Sequence, residues 1–222
     1  KILRSALRRW GSFLGPYHEL TLAGVGALGV LLRDVGRYEE AEPLCQRAFE
    51  GASVALGRSH QATLRYASVV DDVLRNLGRY FEAEILCRSV LERQEMSLGP
   101  QHWDTLMSVE HLGNILFDTG RHAAAELLYR RALEGRERQG SIHPAVLKSL
   151  CDLASLLLVM GKHVDAEPLC HRTLNVCQEC LRPNQLCLLK SINRLGGLLS
   201  RMGKYAEAES LCRYVLEGRV EA

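Results

Sequence analysis

This chain of 222 residues lacks three features that would place it in other protein classes. Its longest apolar stretches, 22–32 and 153–160, are far shorter than a membrane-crossing helix, which needs about 20 residues. Lysine and arginine total 28 against 26 acidic residues, which argues against a nucleic-acid binder that relies on a strong positive field. Eight cysteines are too few for a disulfide-held scaffold. The apolar share of 47% is that of an ordinary globular protein.

Motifs that would indicate catalysis are also missing from the sequence. It contains no phosphate-binding glycine loop, no nucleophile elbow and no HExxH pattern. We therefore predict a protein that is not an enzyme and that needs no cofactor or metal. Because the chain begins at Lys1 rather than at a methionine, we expect it to be part of a longer protein.

Internal repetition is the strongest signal in the sequence. A glycine followed by a basic residue recurs at intervals of 41 or 42 residues, at Gly36, Gly78, Gly120, Gly161 and Gly203. Five residues after each glycine stands an alanine, at Ala41, Ala83, Ala125, Ala166 and Ala208. A glutamate follows each alanine, at Glu42, Glu84, Glu126, Glu167 and Glu209. Such columns indicate a tandem array of one structural unit.

Each unit has the pattern of two helices. Leu28, Leu31, Leu32 and Val35 recur at helical spacing, and the glycine that follows suits a left-handed helix end. The alanine of the second helix allows the two helices to approach closely. The predicted boundaries are 1–14 for the second helix of a preceding repeat, then repeats at 15–56, 57–98, 99–139, 140–181 and 182–222. Stacked hairpins of this kind share one core and form an all-α solenoid.

Two segments carry a family resemblance. Residues 36–45 (GRYEEAEPLC) and 98–106 (LGPQHWDTL) resemble the tetratricopeptide repeats of kinesin light chain and its relatives, and the likeness covers essentially the whole chain. The resemblance implies a right-handed superhelix of about eleven antiparallel helices. It also implies a protein-interaction scaffold whose first helices line a concave groove for a protein or peptide partner.

The resemblance places thirteen polar or charged residues in that groove. They are Arg65, Asp72, Arg75, Asn76, Glu110, His111, Asn114, Lys148, Asp152, Lys190, Asn193, Arg194 and Arg201. Kinesin light chains carry an asparagine pair in each first helix that binds peptide backbone, and only Asn193 matches that pair here. Gly113 and Asn114 resemble the Gly-Asn step of peptide-clamping tetratricopeptide domains.

Two alternative functions remain open from the sequence. The chain could be a structural subunit of a large assembly, with an organellar complex as one option, contacting its neighbours through outer faces and loops such as 98–104. Alternatively, Cys177 and Cys180, with Cys187 and His171 nearby in sequence, could form a metal or redox site. A single such pair is a weak signal, because structural zinc sites of this kind usually show two paired motifs.

The remaining cysteines and histidines are predicted to be structural. Cys45, Cys87, Cys170 and Cys212 occupy one column of the second helices, too far apart to pair, and should be buried free thiols. Free thiols favour a reducing compartment, either the cytoplasm or an organelle matrix such as the plastid stroma. A histidine also stands before each of the first four repeats' first helices, where it should bond loop backbone, at His18, His60, His102 and His143.

Overall fold

A computed structural model describes residues 11–139, 144–179, 195–209 and 213, with backbone alone at 144 and 174–179. Helices make up the regular structure of these residues. They are α1 (Glu19–Asp34), α2 (Tyr38–Ala55), α3 (Gln61–Asn76), α4 (Tyr80–Ser97), α5 (Trp103–Asp118), α6 (His122–Gln139), α7 (Pro144–Val159) and α8 (His163–Glu179). Residues 195–201 and 205–209 are helical as well. The predicted all-α fold is thereby confirmed.

The chain divides into two compact units, Lys1–Ile115 and Leu116–Ala222. In the first unit, α1 packs against α2, α2 against α3 and α3 against α4, so that each helix contacts the next along the chain. In the second unit, α7 packs in the same way against α6 and α8. Short connections between helices in contact give the hairpins that the repeat pattern predicts.

The turn inside each hairpin depends on the predicted glycine. Gly36 has a φ of +77°, the left-handed conformation that other residues rarely adopt. Its N–H donates to the carbonyl of Arg33 at 2.9 Å, and the N–H of Arg37 donates to the carbonyl of Leu32 at 2.8 Å. This pair of bonds is the Schellman motif, which satisfies carbonyls at the end of α1. The same pair of bonds recurs after Gly78, Gly120, Gly161 and Gly203.

Small residues let the two helices of a hairpin approach closely. The alanines of the repeated column have exposures between 0% and 4%, at Ala41, Ala83, Ala125, Ala166 and Ala208. On the facing helix of the first hairpin, a Cβ added to Gly29 would lie 2.5 Å from the Sγ of Cys45. A side chain at Gly29 would therefore force the two helices apart.

Histidines at the predicted helix-entry positions cap the first helices of the first unit, and their bonds go to the first turn of the helix rather than to the loop backbone that was expected. The Nδ1 atom of His18 accepts a hydrogen bond from the backbone N–H of Leu20 at 3.2 Å. His60 and His102 accept the equivalent bonds from Ala62 and Asp104, both at 3.2 Å. These bonds satisfy one of the otherwise unpaired N–H groups at a helix start. His143 lies outside the described residues.

None of the helices that the structure describes combines the length and the hydropathy that a bilayer crossing requires.

Gly78→Ala should lower the free energy of unfolding by about 1 kcal/mol, because alanine is strained at a φ of +76° although no atom lies within 4 Å to clash with it. Chemical denaturation measures the change. Gly197→Ala is the matched control, since Gly197 is exposed within helical residues 195–201. This substitution should raise the free energy of unfolding by about 0.5–1 kcal/mol, because alanine favours a helix more than glycine does. Equal effects of the two substitutions would contradict a conformational role for Gly78.

His60→Ala should destabilise the protein by about 0.5–2 kcal/mol, because it removes the side-chain cap on the N–H of Ala62. His60→Asp supplies another capping oxygen and should restore most of the loss. Denaturation of the three proteins in parallel tests this expectation. If the aspartate variant is as unstable as the alanine variant, capping is not the role of His60.

Candidate protein-binding site

The first helices of the first unit lie side by side and are joined by polar contacts. Between α1 and α3, Nε of Arg33 lies 3.7 Å from a carboxylate oxygen of Asp72. Between α3 and α5, the amide of Gln61 donates to the Asp104 carboxylate at 3.0 Å. Together these helices present one layer, which we call the first-helix layer.

Four residues of this layer form what we call the Asp72 cluster: Arg33, Asp72, Arg75 and Asn76. The Asp72 carboxylate lies 3.3 Å from a guanidinium nitrogen of Arg75, and the amide of Asn76 donates to the Asp72 carbonyl at 2.7 Å. The side chains of Arg33, Asp72 and Arg75 are 24–25% exposed. The Arg33 guanidinium donates two hydrogen bonds to the neighbouring Asp34 carboxylate, at 2.8 and 3.0 Å, and also lies near Asp72. Both guanidiniums are therefore positioned in advance at a surface that remains open to a ligand, which lowers the entropic cost of binding.

A buried carboxylate lies next to this cluster in the chain. Asp71 is 1% exposed, and its Oδ1 atom lies 3.1 Å from Nδ1 of His111 on α5. Its Oδ2 atom is buried and has no hydrogen-bond partner in the described part of the chain. The Cys87 thiol of α4 interacts with the same carboxylate and donates to the Ser108 carbonyl at 3.5 Å. The second and third repeats are therefore joined through a buried polar contact.

Asp71 and His111 both have shifted pKa values. Burial raises the pKa of Asp71, and the neighbouring His111 opposes that rise only in part. Burial lowers the pKa of His111, but the charge of Asp71 and its hydrogen bond outweigh burial, so that the pKa of His111 is raised. The folded protein consequently holds a proton on this pair at a pH where the unfolded chain has released it.

The other predicted residues of the first unit have different surroundings. Arg65 is exposed on α3, and Asn114 is half-buried on α5. Glu110 is only 1% exposed, which leaves its side chain little surface for a partner. The Asp72 cluster therefore contains three of the seven residues predicted in this unit, and His111 lies beside its buried neighbour Asp71.

In the second unit, Lys148 and Asp152 form an ion pair on α7, with Nζ 3.1 Å from the carboxylate. Asp152 is buried at 6% exposure, and Arg201 is exposed. Lys190, Asn193 and Arg194 lie outside the described residues.

The sequence analysis missed two residues of the site, Arg33 and Asp71. Arg33 occupies the same repeat position as Arg75, one period earlier, so the repeat alignment could have found it. Asp71 stands in a column that otherwise holds only small residues, at Gly29, Gly113, Ala154 and Gly196. A carboxylate in that column was the available signal for a buried polar contact.

Two repeated positions, the glutamate after the alanine and the basic residue after the hairpin glycine, form ion pairs that join successive second helices. Glu42 on α2 pairs with Arg79 at the start of α4. In the second unit, the Glu126 carboxylate lies 2.7 Å from Nζ of Lys162. The glutamate of one repeat thus binds the basic residue after the hairpin glycine of the next repeat. Hydrogen bonds from Lys162 and Arg130 lower the pKa of Glu126.

The described cysteine column is buried and free, as predicted. Cys45, Cys87 and Cys170 are at most 2% exposed and form no disulfide. Burial raises the pKa of the Cys45 and Cys170 thiols to about 11, so both remain protonated near neutral pH. Cys212 lies outside the described residues.

The structure does not test the suggested metal or redox site. Only the backbone of Cys177 is described, within α8, and Cys180 and Cys187 lie outside the described residues. Among the side chains that are described, no group of three histidine, cysteine or acidic residues is arranged to hold a metal ion.

The Asp71–His111 pair predicts how stability depends on pH. As pH rises above the ordinary pKa of histidine, about 6.5, the free energy of unfolding should fall by at most about 1.4 kcal/mol per pH unit until the folded protein also loses the His111 proton. The sign is negative because the pKa is raised in the folded state. In Asp71→Asn, burial becomes the largest influence on the pKa of His111 and lowers it, with Arg75 acting in the same direction and Asp72 opposing, so stability should instead decrease as pH falls.

Chemical denaturation at several pH values tests both slopes. The double variant Asp71→Asn/His111→Gln is the control, because it removes both titrating groups and should show neither slope. An unchanged slope in Asp71→Asn would contradict the assignment to this pair.

Comparisons with known proteins agree with this architecture. A family profile described as Tetratricopeptide repeat matches residues 72–138 and 145–217, and a second profile of the same description matches residues 21–62. A comparison with curated protein sequences gave no significant match.

Several solved structures share the fold. One, the nearly identical TPR-like repeats of a Podosopora anserina kinesin light chain, is 21% identical with a TM-score of 0.71, covering 93% of this chain and 96% of that one. BtubC from P. vanneervenii is 18% identical with a TM-score of 0.74, covering 98% of this chain and 87% of its own. The apo form of RapI is 13% identical with a TM-score of 0.69, covering 97% of this chain and 89% of its own. With the profile matches spanning more than half of its length, the chain belongs to the tetratricopeptide repeat family.

Proposed function

We propose that the chain is a non-catalytic scaffold that binds a segment of a partner protein on its first-helix layer. The observation that carries this proposal is the Asp72 cluster, where the guanidiniums of Arg33 and Arg75 lie 3.7 and 3.3 Å from the Asp72 carboxylate at a partly exposed surface. Guanidiniums held in this way are suited to carboxylates and to the carbonyl oxygens of a peptide.

The exposed residues around the cluster extend the proposed surface. Arg65 is exposed on α3, seven residues before Asp72, and Asn114 lies half-buried on α5. At the α1 end, Ala23 and Ala27 are exposed and small, which leaves room for an apolar part of the partner. We propose that the partner places polar or acidic groups at the Asp72 cluster and an apolar segment over α1.

The remaining predicted groove residues belong to this proposal as further contacts, from Lys148 and Asp152 through Lys190, Asn193, Arg194 and Arg201. A related use of the fold supports it, because a Rap protein with a TM-score of 0.66 was solved in complex with Competence and Sporulation Factor. The buried free thiols favour a reducing compartment for the scaffold, as expected from the sequence.

A second candidate function is a structural subunit of a larger assembly. It is favoured by large apolar side chains that the second helices expose, with exposures of 77% at Phe81, 71% at Leu127 and 84% at Val164. Such residues commonly mark contact with other proteins when they form a patch. In this case neighbouring subunits would contact the second helices rather than the first-helix layer.

Photo-crosslinking in the full-length protein distinguishes the two functions. A photoreactive amino acid at position 65 should capture the partner if the first-helix layer binds it, and one at position 127 should capture a neighbour if the second helices do. The captured protein can then be purified and titrated against variants of this chain.

Replacing Arg65, Arg75 and Asn114 together by alanine should weaken binding of that partner by about tenfold or more. Adding Arg194→Ala tests the part of the proposed groove outside the described residues. The matched control replaces Arg47, Arg88 and Gln46, two arginines and an amide on α2 and α4, and should leave the affinity unchanged. Equal affinity of the triple variant and the wild type would overturn the proposed binding face.

A further inference from the structure

A second surface of the first unit has the form of a binding groove. It lies between the second helices α2 and α4 and encloses about 530 Å³, which is within the usual size range of ligand sites. Its floor is the buried core of Leu64, Ala67 and Val90, against which Phe49 and Leu86 pack. This groove, which we call the α2–α4 groove, contains none of the residues of the Asp72 cluster.

The rim of the α2–α4 groove is apolar on both sides. Val54 at the end of α2 is 74% exposed, and Ile85 on α4 is 56% exposed. Water contacts these two side chains as well as the apolar walls below them. An apolar side chain that entered the groove would remove all of these surfaces from water, which is favourable in proportion to the area covered.

Charge is distributed unequally along the groove. The ion pair between Glu42 and Arg79 joins the starts of α2 and α4, and later residues of both helices, up to Val54 on α2 and Arg93 on α4, line the groove. Arg58, just after α2, and Arg93, in the last turns of α4, both line the groove at the end away from this ion pair. Glu50 of α2 lines it as well, and its carboxylate accepts a hydrogen bond from Gln46 at 2.8 Å. Glu82 lines it near the start of α4, where Arg79 already binds its carboxylate at 2.6 Å.

The two arginines at the far end are available to a ligand. Within the described part of the chain, neither Arg58 nor Arg93 forms an ion pair. Several other arginines on the second helices and their connections do, namely Arg37, Arg79, Arg88, Arg130 and Arg172. The groove therefore presents, beside an apolar cavity, two guanidiniums that form no ion pair with the described carboxylates, including Glu50 and Glu82 of its own lining. Carboxylates are the groups that guanidinium pairs bind most strongly in proteins.

We propose that the α2–α4 groove is a second protein-binding site, which takes a short segment with a large apolar side chain flanked on one side by acidic residues. The apolar side chain lies over Leu64 and Val90, and the acidic residues pair with Arg58 and Arg93. This site goes beyond the proposed function, because it lies on the second helices and does not require the first-helix layer. Its small area fits a weak or transient contact.

Fluorescence anisotropy with labelled synthetic peptides tests the proposal on the purified chain. The probe carries a leucine–phenylalanine pair followed by a run of aspartates. One comparison peptide has lysines in place of the aspartates, and another has alanines in place of the apolar pair. The first peptide should bind at least about tenfold more tightly than either comparison peptide, and added salt should weaken its binding.

Groove variants locate the binding. Arg58→Glu and Arg93→Glu should each weaken binding by about tenfold, since each replaces an attraction by a repulsion. Ile85→Asp should weaken it through the apolar part of the contact. Arg47→Glu is the matched control, because Arg47 is an exposed arginine of α2 outside the groove that also lacks an ion pair within the described residues, and it should bind as the wild type does.

The outcomes separate this proposal from the first one. The variant lacking Arg65, Arg75 and Asn114 should bind the acidic peptide normally, and a loss in that variant would place the peptide on the first-helix layer instead. Equal binding of the lysine peptide, or unchanged binding by both arginine variants, would overturn the α2–α4 groove. Concentration-dependent dimerisation abolished by Ile85→Asp would identify a second copy of this chain as the occupant and would equally overturn the proposal.

Discussion

The close approach of the two helices in each hairpin is the constraint on which the structure depends. The turn glycine, with its φ near +77°, reverses the chain within a few residues, and the buried alanine column allows the second helix to lie against the first. Neither feature is sufficient alone, because a reversed chain with bulky facing residues could not pack to the density of a protein interior. Every hairpin needs both the turn glycine and the buried alanine, so both recur once in each repeat of the sequence.

At Asp71 the second repeat places a carboxylate where the other repeats have a small residue between the two helices of the hairpin. Its column holds small residues in the other repeats, and Gly29 shows why, since even a Cβ there would collide with Cys45. A carboxylate in such a place must be hydrogen-bonded or neutralised, because an isolated buried charge is costly. His111, from the next repeat, supplies the partner at 3.1 Å. The contact between the second and third repeats therefore depends on protonation, as an apolar contact would not.

The sequence predicted features that lie within each repeat and missed the contacts that join one repeat to the next. Helix positions, turn glycines, histidine caps and buried cysteines follow from periodicity and from local backbone rules, so they could be derived from spacing alone. The glutamate and basic columns were also visible, but spacing does not say that Glu42 meets Arg79, because that distance depends on how the repeats stack. Glu110 was expected in the groove by family position, yet it is buried, since the rotation of a helix about its axis depends on packing.

The same contrast indicates where binding specificity resides in such an array. The pairing of Glu42 with Arg79 recurs as Glu126 with Lys162 and Glu167 with Lys204, because each repeat must bind its neighbour in the same way. A partner protein has no such periodicity, so the positions that contact it are free to differ from repeat to repeat. The position of Arg33 and Arg75 behaves in this way, since later repeats place Phe117, Leu158 and Ser200 there.

The two candidate surfaces are both identified by charged residues that do not follow the repeat pattern. The Asp72 cluster lies where the charge at one repeat position changes along the chain, and the α2–α4 groove lies where two arginines are left out of the ion pairs that join the second helices. The Asp72 cluster also joins α1 to α3, whereas Arg58 and Arg93 form no ion pair within the described residues. Charge that stabilises neither a hairpin nor a repeat junction, placed beside accessible apolar surface, is what a binding partner would require.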